Sequence, residues 1–433
     1  MKVNSVWQSL ALLAMVSVAG ADDWPQFAGP ERDGVWREMG IVERFSPDML
    51  DGDRLKRQWR VAIGGGYAGP AAADGRVYVT DRIEDKDVER VLCLDATSGE
   101  LVWKHEYDCS YAGIDYPAGP RATPTVYDGR VYALGARGHL FCFSAADGKI
   151  HWSKHYEKDY GARVPKWGHA AGPLIDGRQL IITVGGKDGA GVLSLDRKTG
   201  EEIWRSMDLT DIGYCSPRIF EAGGMRQMIY FHPEGVASLD PATGKKYWEV
   251  PFHTDYGVTI SSPVMFDDKL WVSQFWGGPL VLRFASDKPE ATEVWRNPPD
   301  ADPHETAINS LMCTPIIRDG YIYGVAGYGA LRCIKADKGE TVWETHDATG
   351  KGRWWNAFLI PNGDRCFIAN EQGDLIIARL TPKGYDEISR AKLIVPTNKA
   401  MRRDVVWSPP AFANKHIIAR NDKEIISVDL GQP

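Results

Sequence analysis

Cysteine is scarce in this chain, with seven among 433 residues, and none falls in a C-x-x-C, a C-x-x-C-H or an adjacent Cys-Cys pair. Cysteine chemistry is therefore not the expected function. Beyond the first 21 residues no apolar run approaches the length of a membrane span. Positive charge is in short supply: 51 Lys and Arg face 58 Asp and Glu, a net −7. That balance argues against a nucleic-acid partner and leaves no polybasic patch for a membrane surface. There is no G-x-S-x-G elbow, no H-E-x-x-H and no Walker loop. The run Gly64-Gly65-Gly66 leads from one strand into another, without the helix N-terminus that a phosphate cradle needs. A long helical period is also missing.

What is present is repetition. The stretch 192–204 reads VLSLDRKTGEEIW, with a small residue at Ser194, Gly200 six positions on and Trp204 ten positions on. The same spacing recurs as Cys93–Gly99–Trp103, Cys142–Gly148–Trp152, Ser238–Gly244–Trp248 and Cys333–Gly339–Trp343, while Ala378–Gly384–Ile388 keeps it without the Trp. Each unit is an alternating apolar strand, a Thr-Gly or Asp-Gly turn and a second strand carrying the Trp. A Trp buries roughly 150–250 Å², about 4–6 kcal/mol gross at about 25 cal/mol/Å². That is enough to fasten one sheet to its neighbour. Upstream of each hairpin lies a second pattern: a dipeptide ending in Pro, an apolar run, a D-G-like turn and another strand. Thr123-Pro124, Gly172-Pro173 and Thr314-Pro315 begin three of these. Pro suits a strand's first residue, where no ladder hydrogen bond is required.

Four short strands per unit, repeated every 44–52 residues, predict a β-propeller blade. Outer-strand marks fall at Trp59, Trp103, Trp152, Trp204, Trp248, Trp295, Trp343 and Ile388. The last inner strand, IISVDL at 425–430, has no partner after it, and the Trp59 strand has none before it. The two complete one another. The expectation is an all-β, eight-bladed propeller of four-stranded antiparallel blades, its last blade closed by the N-terminal strand.

The division expected is a signal peptide at 1–21, an extended segment at 22–54 packed on the ring, and a single propeller at 55–433. The leader has Lys2, an apolar core too short to span, and small residues that place cleavage after Ala21. No Cys lies near that point, so a lipid anchor is not expected. The segment's two Trp, Phe27 and paired Gly-Pro read as a plug or cap over one face of the ring, or as a lid over a site. Cys93, Cys142 and Cys333 stand where other units carry Ser194, Ser238 and Ser427, which suits small packed residues. Cys215 and Cys313 occupy matching places two blades apart, beyond the expected reach of a disulfide.

The L-D-x-x-T-G-E-x-x-W hairpin resembles the tryptophan-docking motif of the PQQ-repeat, or quinoprotein alcohol dehydrogenase-like, propellers. The opening DWPQFAGPERDG, with GPRATPTV at 119–126 and KWGHAAGPL at 166–174, is similar to secreted bacterial PQQ-like propellers of the BamB type. The resemblance spans nearly the whole chain after residue 21. It departs from the PQQ-dependent dehydrogenases in having no adjacent Cys pair, and from BamB in having no lipid-bearing Cys. It implies the fold; function has to be argued from the site.

In such a ring, the loops entering each innermost strand surround one mouth of the channel. Here they supply Tyr67, Arg121, Trp167, His169, Tyr214, Thr259, Asn309, Trp354, Trp355, Asn356, Asp404 and Trp407. Arg121, Trp167, Trp355 and Trp407 are candidates to hold a flat cofactor or a sugar. Glu305, Asn309, Asn356 and Asp404 offer hard oxygen donors for Ca²⁺. The plainer reading is that these residues close the channel and pack on the 22–54 segment. A lone His169 is seldom a metal ligand. Three functions stay open: a non-catalytic periplasmic or secreted scaffold that needs no cofactor, a PQQ- and calcium-dependent dehydrogenase of an alcohol, sugar or polymer, and a carbohydrate-binding propeller. The partner expected is an envelope or extracellular protein or a glycan, with the chain a monomer.

Overall fold

The computed structural model describes residues 22–432 except 210, 299, 300, 303, 305 and 306. The expected leader at 1–21 and the candidate Glu305 lie outside them. Each Pro-marked run opens a four-stranded antiparallel sheet. The first blade is Ala71–Ala73, Arg76–Ile83, Val88–Asp95 and Leu101–Asp108, in that order from channel to rim. Five more follow at 125–155, 174–206, 218–251, 264–296 and 316–345. Five of the turns between the first two strands take φ above zero at two successive residues, as at Asp74 (52°) and Gly75 (71°) or Asp319 (53°) and Gly320 (79°). That geometry matches the twist of the flanking strands and favours Asp-Gly.

The seventh and eighth blades use the front of the chain. The eighth runs Ala411–Ala413, His416–Arg420 and Glu424–Asp429, and Trp59–Ala62 supplies its outer strand with Trp59 opposite Ser427. Eight blades thus close by the pairing expected from the two orphan strands. The seventh blade, 357–392, gains two short strands, Leu50–Asp51 and Arg54–Leu55, through a parallel contact of Arg54 with Lys392. The end of the extended segment is therefore part of a sheet.

The repeated spacing has a definite origin. Ser194 sits directly across the ladder from Trp204, Cys93 from Trp103 and Cys142 from Trp152, and a one-residue bulge follows each pair. The indole then lies on the turn glycine of the next blade. A Cβ at Gly148 would meet Trp103 at 2.7 Å, one at Gly200 would meet Trp152 at 2.8 Å, and one at Gly244 would meet Trp204 at 2.5 Å. Trp103 and Trp152 donate to the Ala145 and Arg197 carbonyls of that next blade at 2.9 and 3.1 Å. Trp59 treats the first blade alike, resting on Gly99 and donating to the Ala96 carbonyl at 2.8 Å. Blade seven corrects the sequence alignment. Its register sets Ser389 opposite Ile377 and leaves Ile388 at the bulge, because its strands run on to a tight turn with Thr381 opposite Gly384.

Residues 22–49 cross the ring at its D-G-turn end. The Asp23 carboxylate accepts from the Asp74 amide (3.3 Å), Glu38 from the Lys415 amide (2.8 Å), and Asn362 donates to the Trp36 carbonyl (3.0 Å). Trp24 pairs with Ala72, and Trp36 is buried against Phe367 and Phe412. Arg32 is buried with no carboxylate in ion-pair range among the described residues; it donates to Gln26 and to the Pro173 carbonyl at 3.0 and 3.1 Å. Burial beside Arg218 pushes it down to about 10.

Candidate functional site

With one end of the channel crossed by this segment, the other end is formed by the loops that enter the inner strands. They enclose a cavity of about 200 Å³, with Phe27 of the segment among its walls. The remaining walls include the rings of Tyr67, Tyr116, Trp167, Tyr214, Trp354 and Trp407, with Val258, Ile260, Leu311 and Met312 also lining the cavity. Burial pushes the Tyr67 phenol up to about 12 and raises those of Tyr116 and Tyr214, so all three stay neutral at ordinary pH.

Arg121 is the one charged side chain among these walls. Its guanidinium donates to the carbonyls of its own loop at Gly119, Asp115 (2.9 Å) and Tyr116, and lies 5.2 Å from the Tyr67 ring and 5.7 Å from that of Tyr111. Desolvation lowers its pKa, and the neighbouring phenols oppose that. It fixes the loop rather than offering a free fork. Trp167 packs against Tyr214 at 5.6 Å and edge-on to Trp354 at 6.5 Å. Both indole N–H groups, Trp167 Nε1 and Trp354 Nε1, are buried with no hydrogen-bond partner. Three aromatic residues at this end hold left-handed φ: Tyr116 at 54°, Tyr256 at 56° and Trp354 at 62°. For bulky side chains this is uncommon and costs of order 1–3 kcal/mol each.

The other sequence candidates go elsewhere. Trp407 reaches the cavity and donates its N–H to Glu371 at 2.8 Å. Trp355 does not reach it: its ring is buried over Gly350, under the Arg403 guanidinium at 5.1 Å. The Asn309 amide donates to the Phe275 carbonyl (2.9 Å) and accepts from the Gly327 amide (3.1 Å). Asp404 lies exposed on a small hairpin, Asn398–Ala400 with Arg403–Val405, paired with Lys399 at 2.8 Å. Asn356 is buried, and neither its amide oxygen nor its nitrogen has a partner. Its backbone N–H joins Arg403 and Trp407 on Glu371, whose carboxyl burial pushes up. Buried His169 is pushed down to about 3 by desolvation and packs edge-on to Tyr156. Thr259 is buried and accepts from the Tyr214 amide at 3.3 Å.

Among the described residues, the oxygen donors considered for Ca²⁺ therefore do not converge, and no group of three His, Cys, Asp or Glu is placed to hold a metal ion. The cavity is also smaller than the roughly 300–1,000 Å³ usual for cofactor and drug-sized ligands. Asn309, Asn356 and Asp404, the described candidates, do not by themselves form a calcium site. Sequence reasoning missed Tyr116 and Glu371. Tyr116 lies eight positions before Pro124, in a loop long enough to fold back over the mouth, so proximity to the Pro mark did not point to it.

A second, polar hollow of about 730 Å³ adjoins the first, and Tyr67 and Tyr116 wall both. It lies over the seam where the eighth blade meets the first, between 64–67, 82–85, 115–118, 397–399 and 422–423.

No helix among the described residues is long and apolar enough to cross a membrane. The family described as outer membrane protein assembly factor BamB matches at 38–207 and again at 117–282, together more than half of the chain. Quinohemoprotein alcohol dehydrogenase ADH-IIG of Pseudomonas putida is 27% identical over 223 residues, 46% of this chain and 30% of that protein. BamB of Burkholderia pseudomallei is 27% identical over 228 residues, 50% of each chain. The chain thus spans about half, or less, of the length of these curated relatives. The crystal structure of BamB from Moraxella catarrhalis matches with a TM-score of 0.58 at 15% identity, covering 86% of this chain and 97% of that one, a likeness of fold alone. Eight blades, seven of them carrying the outer-strand Trp, and this family match together place the chain in the PQQ-repeat β-propeller family of BamB.

Proposed function

We propose that this chain is a non-catalytic binding propeller of the cell envelope, periplasmic or secreted, which seats a partner protein at the ring-lined mouth of its channel. One observation carries the reading. The described walls of the cavity hold no carboxylate, imidazole, thiol or amine, and their single guanidinium is tied to backbone carbonyls. Such a site can pack, stack and donate hydrogen bonds, and burial holds its phenols protonated. The family match adds support, since proteins of that description are named for assembly. The likeness to a quinohemoprotein alcohol dehydrogenase keeps a PQQ- and Ca²⁺-dependent oxidation as the second reading.

The test has two arms. A photo-crosslinking residue at position 116, in the mouth, is compared with one at Met39, exposed on the opposite face. The expected result is one envelope protein captured at 116 and not at 39. Separately, purified protein receives PQQ and Ca²⁺ with alcohols and sugars. Dye reduction there, or specific binding on a glycan array with no protein captured at 116, overturns the scaffold reading.

A further inference from the structure

The two adjoining hollows differ in chemistry, and the difference describes a ligand. The first is apolar and has the volume of one ring system rather than a cofactor. Its aromatic walls suit one further ring packed between them. The second hollow is charged. Of its cations, Arg82 is paired with Asp87 at 2.6 Å and Lys399 with Asp404 at 2.8 Å, while its Asp115 faces Lys166 at 3.5 Å. That leaves Glu84, Asp85 and Asp422 without a cation in ion-pair range among the described residues, against Lys423 alone. Asp422 is half-buried and accepts from the Gly66 amide at 3.0 Å. The groove is therefore acidic where it leaves the aromatic cavity. Tyr67 and Tyr116 line both hollows, which sets the carboxylates beside the ring pocket.

We infer that the mouth binds an extended segment of a partner polypeptide, with one aromatic side chain in the cavity and lysine or arginine residues just beyond it over Glu84, Asp85 and Asp422. This rests on the scaffold reading and specifies its partner's chemistry. A ring pocket beside unpaired carboxylates calls for an aromatic group and a cation on one chain, which a hydrocarbon or a bare cation could not supply. The left-handed Tyr116 and Trp354 hold the two sides of the pocket in place before the ligand arrives, which lowers the ordering cost of binding.

The experiment uses full-length purified protein and fluorescently labelled, blocked pentapeptides: Gly-Trp-Gly-Lys-Lys, with Gly-Ala-Gly-Lys-Lys and Gly-Trp-Gly-Glu-Glu as controls. The first should bind at least about tenfold more tightly than either control, the loss expected when a buried aromatic anchor is truncated. Its affinity should fall as salt rises. Trp354→Ala should abolish the preference for Trp over Ala. The double change Glu84→Lys with Asp85→Lys, on an exposed turn, should erase the preference for Lys over Glu and leave the melting temperature unchanged. The second variant keeps the test valid if the first fails to fold. Equal binding of all three peptides, binding of none, or preferences that survive both variants overturns the inference. If position 116 still captures a protein partner while the peptides fail, only the ligand chemistry falls; if 116 captures nothing, the scaffold reading falls with it.

Discussion

Gly244 shows how much a single position in the repeat must do. Its φ is +72° and a Cβ there would press into Trp204 at 2.5 Å, whereas Gly177, with φ +57°, has nothing within 4 Å of the same built atom. Gly177→Ala should therefore cost about 1 kcal/mol for the backbone alone. Gly244→Ala should cost about 2–4 kcal/mol, strain and overpacking together. Denaturant melts of the two variants measure the difference, and equal losses would mean that indole docking adds nothing. His139 makes a second test. Burial, with the charge of His155 nearby, pushes it from 6.5 down to about 4. Between those values the unfolded chain binds the proton and the folded one does not, so stability falls as pH drops through the window. His139→Gln should make the fall between pH 6.5 and 4 shallower, and leave stability at pH 8 changed only by packing.

The closing strand is the element on which the ring depends. Trp59→Ala should cost about 3–5 kcal/mol, as at any docked Trp. Its signature is local: hydrogen exchange should rise at Ile425 and Ile426, which pair with Val61 and Arg60, whereas Trp204→Ala leaves those amides protected. Most of this architecture was legible in the chain. Each Trp sits at a fixed distance from its cross-strand partner, so the ladder register is written as spacing, and two unmatched strands had one way to pair. What the spacing could not show was the floor beneath each Trp. Gly99 and Gly148 read as turn residues, yet each also supports an indole from the preceding blade, 40 or more residues earlier. Blade seven escaped for a related reason: its longer strands move the register, and Ile388 mimics the spacing without the pairing.

For the molecule as a whole, stability comes without covalent cross-links. All seven cysteines are buried and free, and burial pushes the Cys93 thiol up to about 12. The native protein should resist a thiol reagent and expose seven reactive groups only on unfolding, and a reductant should not shift its melting temperature. A shift would reveal a disulfide. The mouth was only partly readable from sequence. Loop position found Tyr67, Arg121, Trp167, Trp354 and Trp407, because each loop must end where its strand begins. Whether a side chain turns into the cavity, like Trp354, or beneath it, like Trp355, depends on one backbone angle, and no local pattern announces a tryptophan at φ +62°. The seam between Trp59–Ala62 and Glu424–Asp429 also governs assembly in time. Trp59–Ala62 stays unmatched until a strand about 360 residues further along the chain is available, so a variant truncated before residue 424 should show a bare sheet edge and aggregate.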